Sequence, residues 1–214
     1  MGYGRKERIA VNPDRPTCVL RNCPMWGQPM VGSENNEHAL AMLIGEAPGQ
    51  DEEESGFPFV GKSGRELSMY LQDFARIPRN RFHITNLCRC RPPKNRDPHK
   101  TEIDICSSHL LVELDEVRPR IIGTIGRLST QWFLEQRIPM EKVHGMVFEH
   151  DDRVIVPLYH PAAGLHSPRR MKEIIEDFKI LGEVIRGERG MTQVPGIVPE
   201  YAHRNAYDID STIV

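Results

Sequence analysis

The chain has 214 residues, 39% hydrophobic and 27% charged, which fits one domain of ordinary size with a full core. Its formal net charge of −2 gives no sign of a polyanion partner, although an average can hide patches. No apolar run reaches the ~18–20 residues of a membrane span, and the opening MGYGRKERIAVNPDRP has no apolar signal core, so the reading is a cytosolic protein with no membrane partner.

Residues 1–38 read as irregular, broken by Pro13, Pro16, Pro24 and Pro29. HALAMLIG (38–45) is a short apolar run ending at glycine, the pattern of a buried strand. The stretch GEAPGQDEEESGFPFVGKSG (45–64) follows; its glycines and prolines argue against a helix and its charges against a core strand. Ser63 with Glu66 three residues on reads as a capping box, opening a helix with Leu67, Tyr70, Leu71 and Phe74 at helical spacing. RFHITNL (81–87) is a second strand, and RPPKNRDP (91–98), with three prolines, is irregular. A helix runs from Thr101 to about Val117, with Ile105, Leu110 and Leu114 on one side and Pro119 as its stop. RIIGTIG (120–126) is a third strand, Leu128–Gln136 a short helix, and RVIVPLY (153–159) a fourth strand ending at His160-Pro161. A last helix spans Pro168–Ile185, with Ile174, Ile175, Phe178 and Leu181 apolar. Residues 1–186 thus form one domain, and 187–214 a partly ordered extension or a tail that binds a protein partner.

Strands alternate with helices, which predicts a three-layer α/β/α sandwich around a central four-stranded parallel sheet. Ligands of such sheets bind beyond the carboxyl ends of the strands. Three special segments fall there: 45–64, 86–98 and 160–170. The first carries no phosphate-binding lysine loop and no dinucleotide fingerprint, so neither a nucleoside triphosphate nor NAD is expected. Phe59 in FPFVG is either a flat stacking face on a rigid loop or a plain core residue. Asn86 is either a reader of a planar base edge, through its paired donor and acceptor, or a turn former. His160, beside a proline, could deliver one hydrogen bond to a developing oxyanion.

Charge is unevenly spread. From Arg79 to Lys100 there are seven Lys and Arg against one acid, Asp97, while acids gather at Asp51 to Glu54. The basic run is either a solvated loop or a binding surface. The five cysteines are Cys18, Cys23, Cys88, Cys90 and Cys106. In a cytosolic chain, two separated pairs suit a structural zinc or an iron–sulfur cluster, and scattered buried thiols are the alternative.

GEAPG followed by PFVGKSG, then TNLCRCRPPKNRDP, then YHPAAGLH resembles the uracil-DNA glycosylase superfamily, most closely its iron–sulfur family 4. The resemblance runs from about Cys18 to Ile185, with the motifs in family order. It implies a monofunctional, monomeric base-excision-repair enzyme that flips uracil out of DNA and hydrolyses its N-glycosidic bond, leaving an abasic site. By the same resemblance Phe59 stacks on the uracil, Asn86 pairs with its edge, and His160 stabilises charge on its O2. Glu46 and Ala47 match the motif that meets the base and the attacking water; Ala47 stands where the family 1 enzymes carry an aspartate. Glu52 and Asn95 match polar positions supporting catalysis. A [4Fe–4S] cluster on Cys18, Cys23, Cys90 and Cys106 is implied, although C-x4-C replaces the family's C-x-x-C. Cys88 is a spare thiol that either substitutes or is inert. Leu165 matches the wedge into the duplex, but it follows Gly164 where the family has a second large apolar residue. Arg91, Lys94, Arg96, Arg169 and Arg170 would line a basic rim for DNA phosphates. The histidine-bearing insertion of the family's covalent variant is absent between Arg91 and Cys106, which suggests a turnover enzyme. Two readings stay open beside this one: another damaged base on the same scaffold, and a non-catalytic DNA-binding module of a larger complex.

Overall fold

The computed structural model describes residues 18–34, 38–150, 152–164 and 167–192. One sheet organises them, built from β1 (Ala41–Gly45), β2 (Phe82–Asn86), β3 (Ile121–Ile125), β4 (Phe148–His150) and β5 (Arg153–Leu158) in the order β2-β1-β3-β5-β4. The four expected strands pair in parallel, and β4 joins the edge as an antiparallel fifth. Three residues are too few to show a period, so β4 left no mark in the sequence pattern. Every residue of β1 and β2 is buried, as strands covered on both faces must be.

The helices are α1 (Gln50–Ser55), α2 (Lys62–Tyr70), α3 (Lys100–Val117), α4 (Arg127–Leu134) and α5 (Pro168–Ile185). Right-handed crossovers put α2 on one face and α3 and α4 on the other. Helix α5 packs beside α2, where Tyr70 and Phe178 stack with ring centroids 5.3 Å apart. The result is the three-layer sandwich.

Two local expectations fail. Helix α1 forms inside the 45–64 stretch, because residues 50–55 hold no glycine or proline and Asp51, Glu52 and Glu53 sit in its first turn, where the helix dipole favours anions. Helix α2 begins at Lys62 with Gly61 as its N-cap, so Ser63 does not cap it. The amides of Val60 and Gly61, just ahead of the helix, donate to Glu52 Oε1, at 2.9 and 2.8 Å. Smaller shifts occur elsewhere. Helix α2 continues into a wide turn at Leu71–Ala75, α3 starts one residue before Thr101, and α4 stops at Leu134. Helix α5 has the expected bounds, with Ser167 Oγ accepting from the Arg170 N–H.

The arm before β1 covers the outer edge of the sheet: Glu34 and Ile84 exchange backbone hydrogen bonds, and the Val31 N–H donates to Arg89 O at 2.8 Å. An edge strand left bare would invite pairing with other chains. At the other end, Thr192 pairs with Val147 through both its N–H and its hydroxyl. The rest of the expected tail, 193–214, lies outside the described residues.

Candidate active site

A cavity of about 470 Å³ opens at the carboxyl ends of β1 and β2. Glu46, Ala47, Glu52, Phe59, Asn86 and His160 line it, with Asn95 and Arg96 from the 91–98 loop. Three segments remote in sequence therefore share one pocket, because parallel strands deliver every strand end to the same rim.

Its floor depends on a missing side chain. Gly45 pairs in register with Asn86, and a Cβ on it would stand 2.3 Å from Asn86 Oδ1 and 2.6 Å from Phe59 Cζ. Only glycine lets the ring and the amide close over the end of β1. Phe59 adopts φ 50°, a left-handed conformation that opposes an L side chain. Arg79 holds it there. The guanidinium donates to Phe59 O and Pro58 O, each at 2.9 Å, and to Ser68 Oγ at 3.1 Å. Glu34 anchors the same guanidinium through Nε and Nη2. Arg79 opens the basic 79–100 run, and nothing in the sequence marks its inward role, since its acceptors are backbone carbonyls some twenty residues away.

The Phe59 and His160 rings face each other with centroids 6.0 Å apart. His160 Nδ1 accepts from the Ala162 N–H at 3.2 Å, which leaves the ring proton on Nε2. Burial pushes the pKa of His160 down to about 4, so the imidazole is neutral at ordinary pH.

Both acids are committed to backbone. Glu46 Oε1 accepts the Leu128 N–H at 2.7 Å, tying the end of β1 to the start of α4. Burial raises its pKa, and those backbone donors and Arg127 pull it back. Glu52 takes the Gly49 N–H on its second oxygen, in addition to Val60 and Gly61 on its first. Both carboxylates shape the pocket walls. Asn95 Oδ1 accepts from Arg91 Nε at 2.6 Å, which orders the 91–98 turn.

Much of the expected basic rim is neutralised internally. Arg91 pairs with Glu53, Arg96 with Glu102 and Arg170 with Glu141 and Glu173. Lys94 is exposed, as is Arg169, which reaches Glu173 at 3.3 Å. Leu165, the expected wedge, lies outside the described residues.

The cysteines converge behind the pocket. Cys23, Cys88, Cys90 and Cys106 form a small buried cluster with Met25 and Met30, and Cys18 packs against it. All five thiols are free. The Arg89 N–H donates to Cys106 Sγ at 3.2 Å, and His109 Nε2 lies 3.6 Å from Cys18 Sγ. A hydrogen bond from Cys88 pulls the pKa of Cys106 down to about 7, whereas burial pushes Cys90 up to about 12. Among the described residues no three His, Cys, Asp or Glu side chains surround a single ion. A four-iron cluster spreads its cysteines over separate irons, and the half-buried Cys18 with the buried Cys23, Cys90 and Cys106, all unoxidised and packed in one cluster, are the donor set it takes. The residues fit that group.

Residues 32–179 match the model of the uracil DNA glycosylase superfamily. The chain is 37% identical over 174 residues to a type-4 uracil-DNA glycosylase of Sulfurisphaera tokodaii, covering 77% of this chain and 79% of the relative. It is 39% identical over 175 residues to one of Saccharolobus solfataricus, covering 77% and 81%. With one of Thermotoga maritima it shares 29% identity over 193 residues, covering 87% and 99%.

Proposed function

The chain belongs to the uracil DNA glycosylase superfamily, and on that premise we propose that it excises uracil from DNA. It would hydrolyse the N-glycosidic bond and leave free uracil and an abasic site. The observation that carries this reading is the meeting of the Phe59 ring, the Asn86 amide and the His160 imidazole in one pocket over Gly45. A flipped uracil has a flat face for Phe59 and an O4/N3–H edge that complements an amide. As the C1′–N1 bond breaks, negative charge gathers on the base. The neutral His160 donates its Nε2–H to O2, and water supplies the oxygen that bonds to C1′. The departing uracil anion takes up the proton that this water releases. Ala47 offers no carboxylate to the water, and Glu46 and Glu52 are bound to backbone amides, so the barrier falls chiefly through stabilisation of the leaving anion.

Cys18, Cys23, Cys90 and Cys106 would hold a [4Fe–4S] cluster. When bound, it supplies a structural cross-link between the N-terminal arm and the segment that shapes the pocket. Lys94 and Arg169 are left to meet phosphates, with Arg91, Arg96 and Arg170 exchanging their present partners for DNA. The enzyme would act as a monomer in the cytosol or on the nucleoid.

The test is uracil release from a single-stranded oligonucleotide, with wild type beside Asn86→Ala and His160→Ala, and with iron and sulfide assayed in each preparation. Loss of the His160 donor should slow release about 100- to 1000-fold, with iron content unchanged. Preparations that keep iron and bind DNA but release no uracil would reject the reading.

A further inference from the structure

Directly behind His160 lies a buried carboxylate that the mechanism above does not use. Asp177 of α5 is 1% exposed. Its Oδ2 accepts the Tyr159 N–H at 2.9 Å, and its Oδ1 meets His144 Nδ1 at 2.7 Å. A charge in a core is unfavourable unless it is paired, and apolar residues of similar size are often more stable in its place. Here both partners belong to the structure that leads into the catalytic turn. Tyr159 immediately precedes His160, and its ring lies between the His144 ring, 4.4 Å away, and the Arg170 guanidinium, 3.9 Å away. The turn that carries His144 is itself tied to β5, through the Gly145 N–H to Pro157 O. Beyond His160 the chain is closed by the Ala162 N–H on its ring and the Ala163 N–H on its carbonyl. Asp177 is therefore the side chain that holds the peptide entering this turn.

We propose that Asp177 is the positioning residue of His160, gripping the Tyr159 peptide that aims the imidazole, with His144 as its counter-ion. The proposal rests on the glycosylase reading for its kinetic consequence and on geometry alone for its structural one. The groups facing His144 are Asp177, Glu173 and Arg170 of α5, Glu141 of the preceding turn, and Tyr159. The Asp177 hydrogen bond raises the His144 pKa against burial and Arg170. Once His144 loses its proton, the buried carboxylate loses its counter-ion and becomes costly to keep in place, and its hydrogen bond to the Tyr159 N–H loosens. Uracil release should therefore fall as pH rises through the His144 titration.

Single-turnover uracil release across pH, from the full chain with its iron content matched, tests this in wild type, Asp177→Asn and His144→Gln. The expected result is a several-fold slower rate in D177N with an unchanged DNA dissociation constant, and the loss in both variants of the alkaline limb that wild type shows. Wild-type rate and pH profile in folded D177N and H144Q would overturn the proposal. Should D177N fail to fold, the H144Q profile decides alone, since His144 is partly exposed. Should wild type release no uracil at all, the glycosylase reading fails separately, and the ring-nitrogen NMR shifts of His160 decide. Shifts moved by H144Q or D177N support positioning, and identical shifts reject it.

Discussion

Replacing Arg79 with alanine tests whether the stacking ring is held in place from behind. The guanidinium gives two hydrogen bonds to the carbonyls of Pro58 and Phe59 and one to Ser68 Oγ. Hydrogen bonds to a charged group contribute about 1.5–3 kcal/mol each. The Arg79 side chain is 19% exposed, so water replaces part of that, and about 3 kcal/mol is a reasonable total. The Glu34 pair adds little, because its carboxylate is a third exposed and water stabilises it. Against this clasp stands the left-handed conformation of Phe59 at φ 50°, which costs about 1–2 kcal/mol. Without Arg79 the balance reverses, and Phe59 leaves its stacking position in most molecules. The apparent catalytic efficiency scales with the competent fraction, so kcat/KM for uracil release should drop about tenfold or more. The variant should also unfold at lower urea, read by far-ultraviolet circular dichroism. Arg79→Lys should recover little, since an ammonium cannot bridge two carbonyls and Glu34 in the planar geometry of a guanidinium. A destabilised R79A with wild-type kcat/KM would refute the reasoning, because the clasp would then serve the fold alone.

Two further outcomes are expected. Gly45→Ala places a methyl 2.3 Å from Asn86 Oδ1, so the amide or the Phe59 ring must shift; overpacking costs about 1–3 kcal/mol, and uracil release should fall while thermal unfolding shows the protein still folded. Equal release by G45A and wild type would mean that the ring and amide do not act together. For His160 the sign is set by a folded pKa of about 4 below the ~6.5 of an unfolded histidine. Stability is then fully present above pH 6.5 and declines as pH falls toward 4, by roughly 3 kcal/mol at most. Urea unfolding against pH, wild type beside His160→Ala, should show this acid loss in wild type only.

The meeting of Asn86 and His160 at one rim was legible because each stands at or just past the end of a strand that an apolar run announces, and parallel pairing brings those ends together. Phe59 lies fourteen residues past β1 with α1 between, and its stacking role came from the resemblance of its motif. The pairs of cysteines were legible by number and spacing, and the fold brings all of them to one buried cluster. Helix α1 was missed because glycines and prolines flank it closely, and they were read as if they ran through it. Ser63 was misread because a serine and a glutamate at the right spacing look the same whether or not the turn before them is already capped. In this chain the helix is already under way at Ser63, with Gly61 in the cap position and its carbonyl accepting the Arg65 N–H.

Local pattern alone determined the alternation of strands and helices, and so the rim where chemistry gathers. Periodicity and turn residues act over a few positions, and one sequence reports them directly. Tertiary structure decided which charges face outward. Arg79 turns in to grip Phe59, and Arg91, Arg96 and Arg170 find acids. It also decided which carboxylates are free to act, since Glu46, Glu52 and Asp177 each close on a backbone amide. The partners in these pairs lie as few as three and as many as 82 residues apart. A charged side chain is long and can satisfy itself in many directions, so its final direction depends on which unpaired donor or acceptor the completed fold brings within reach.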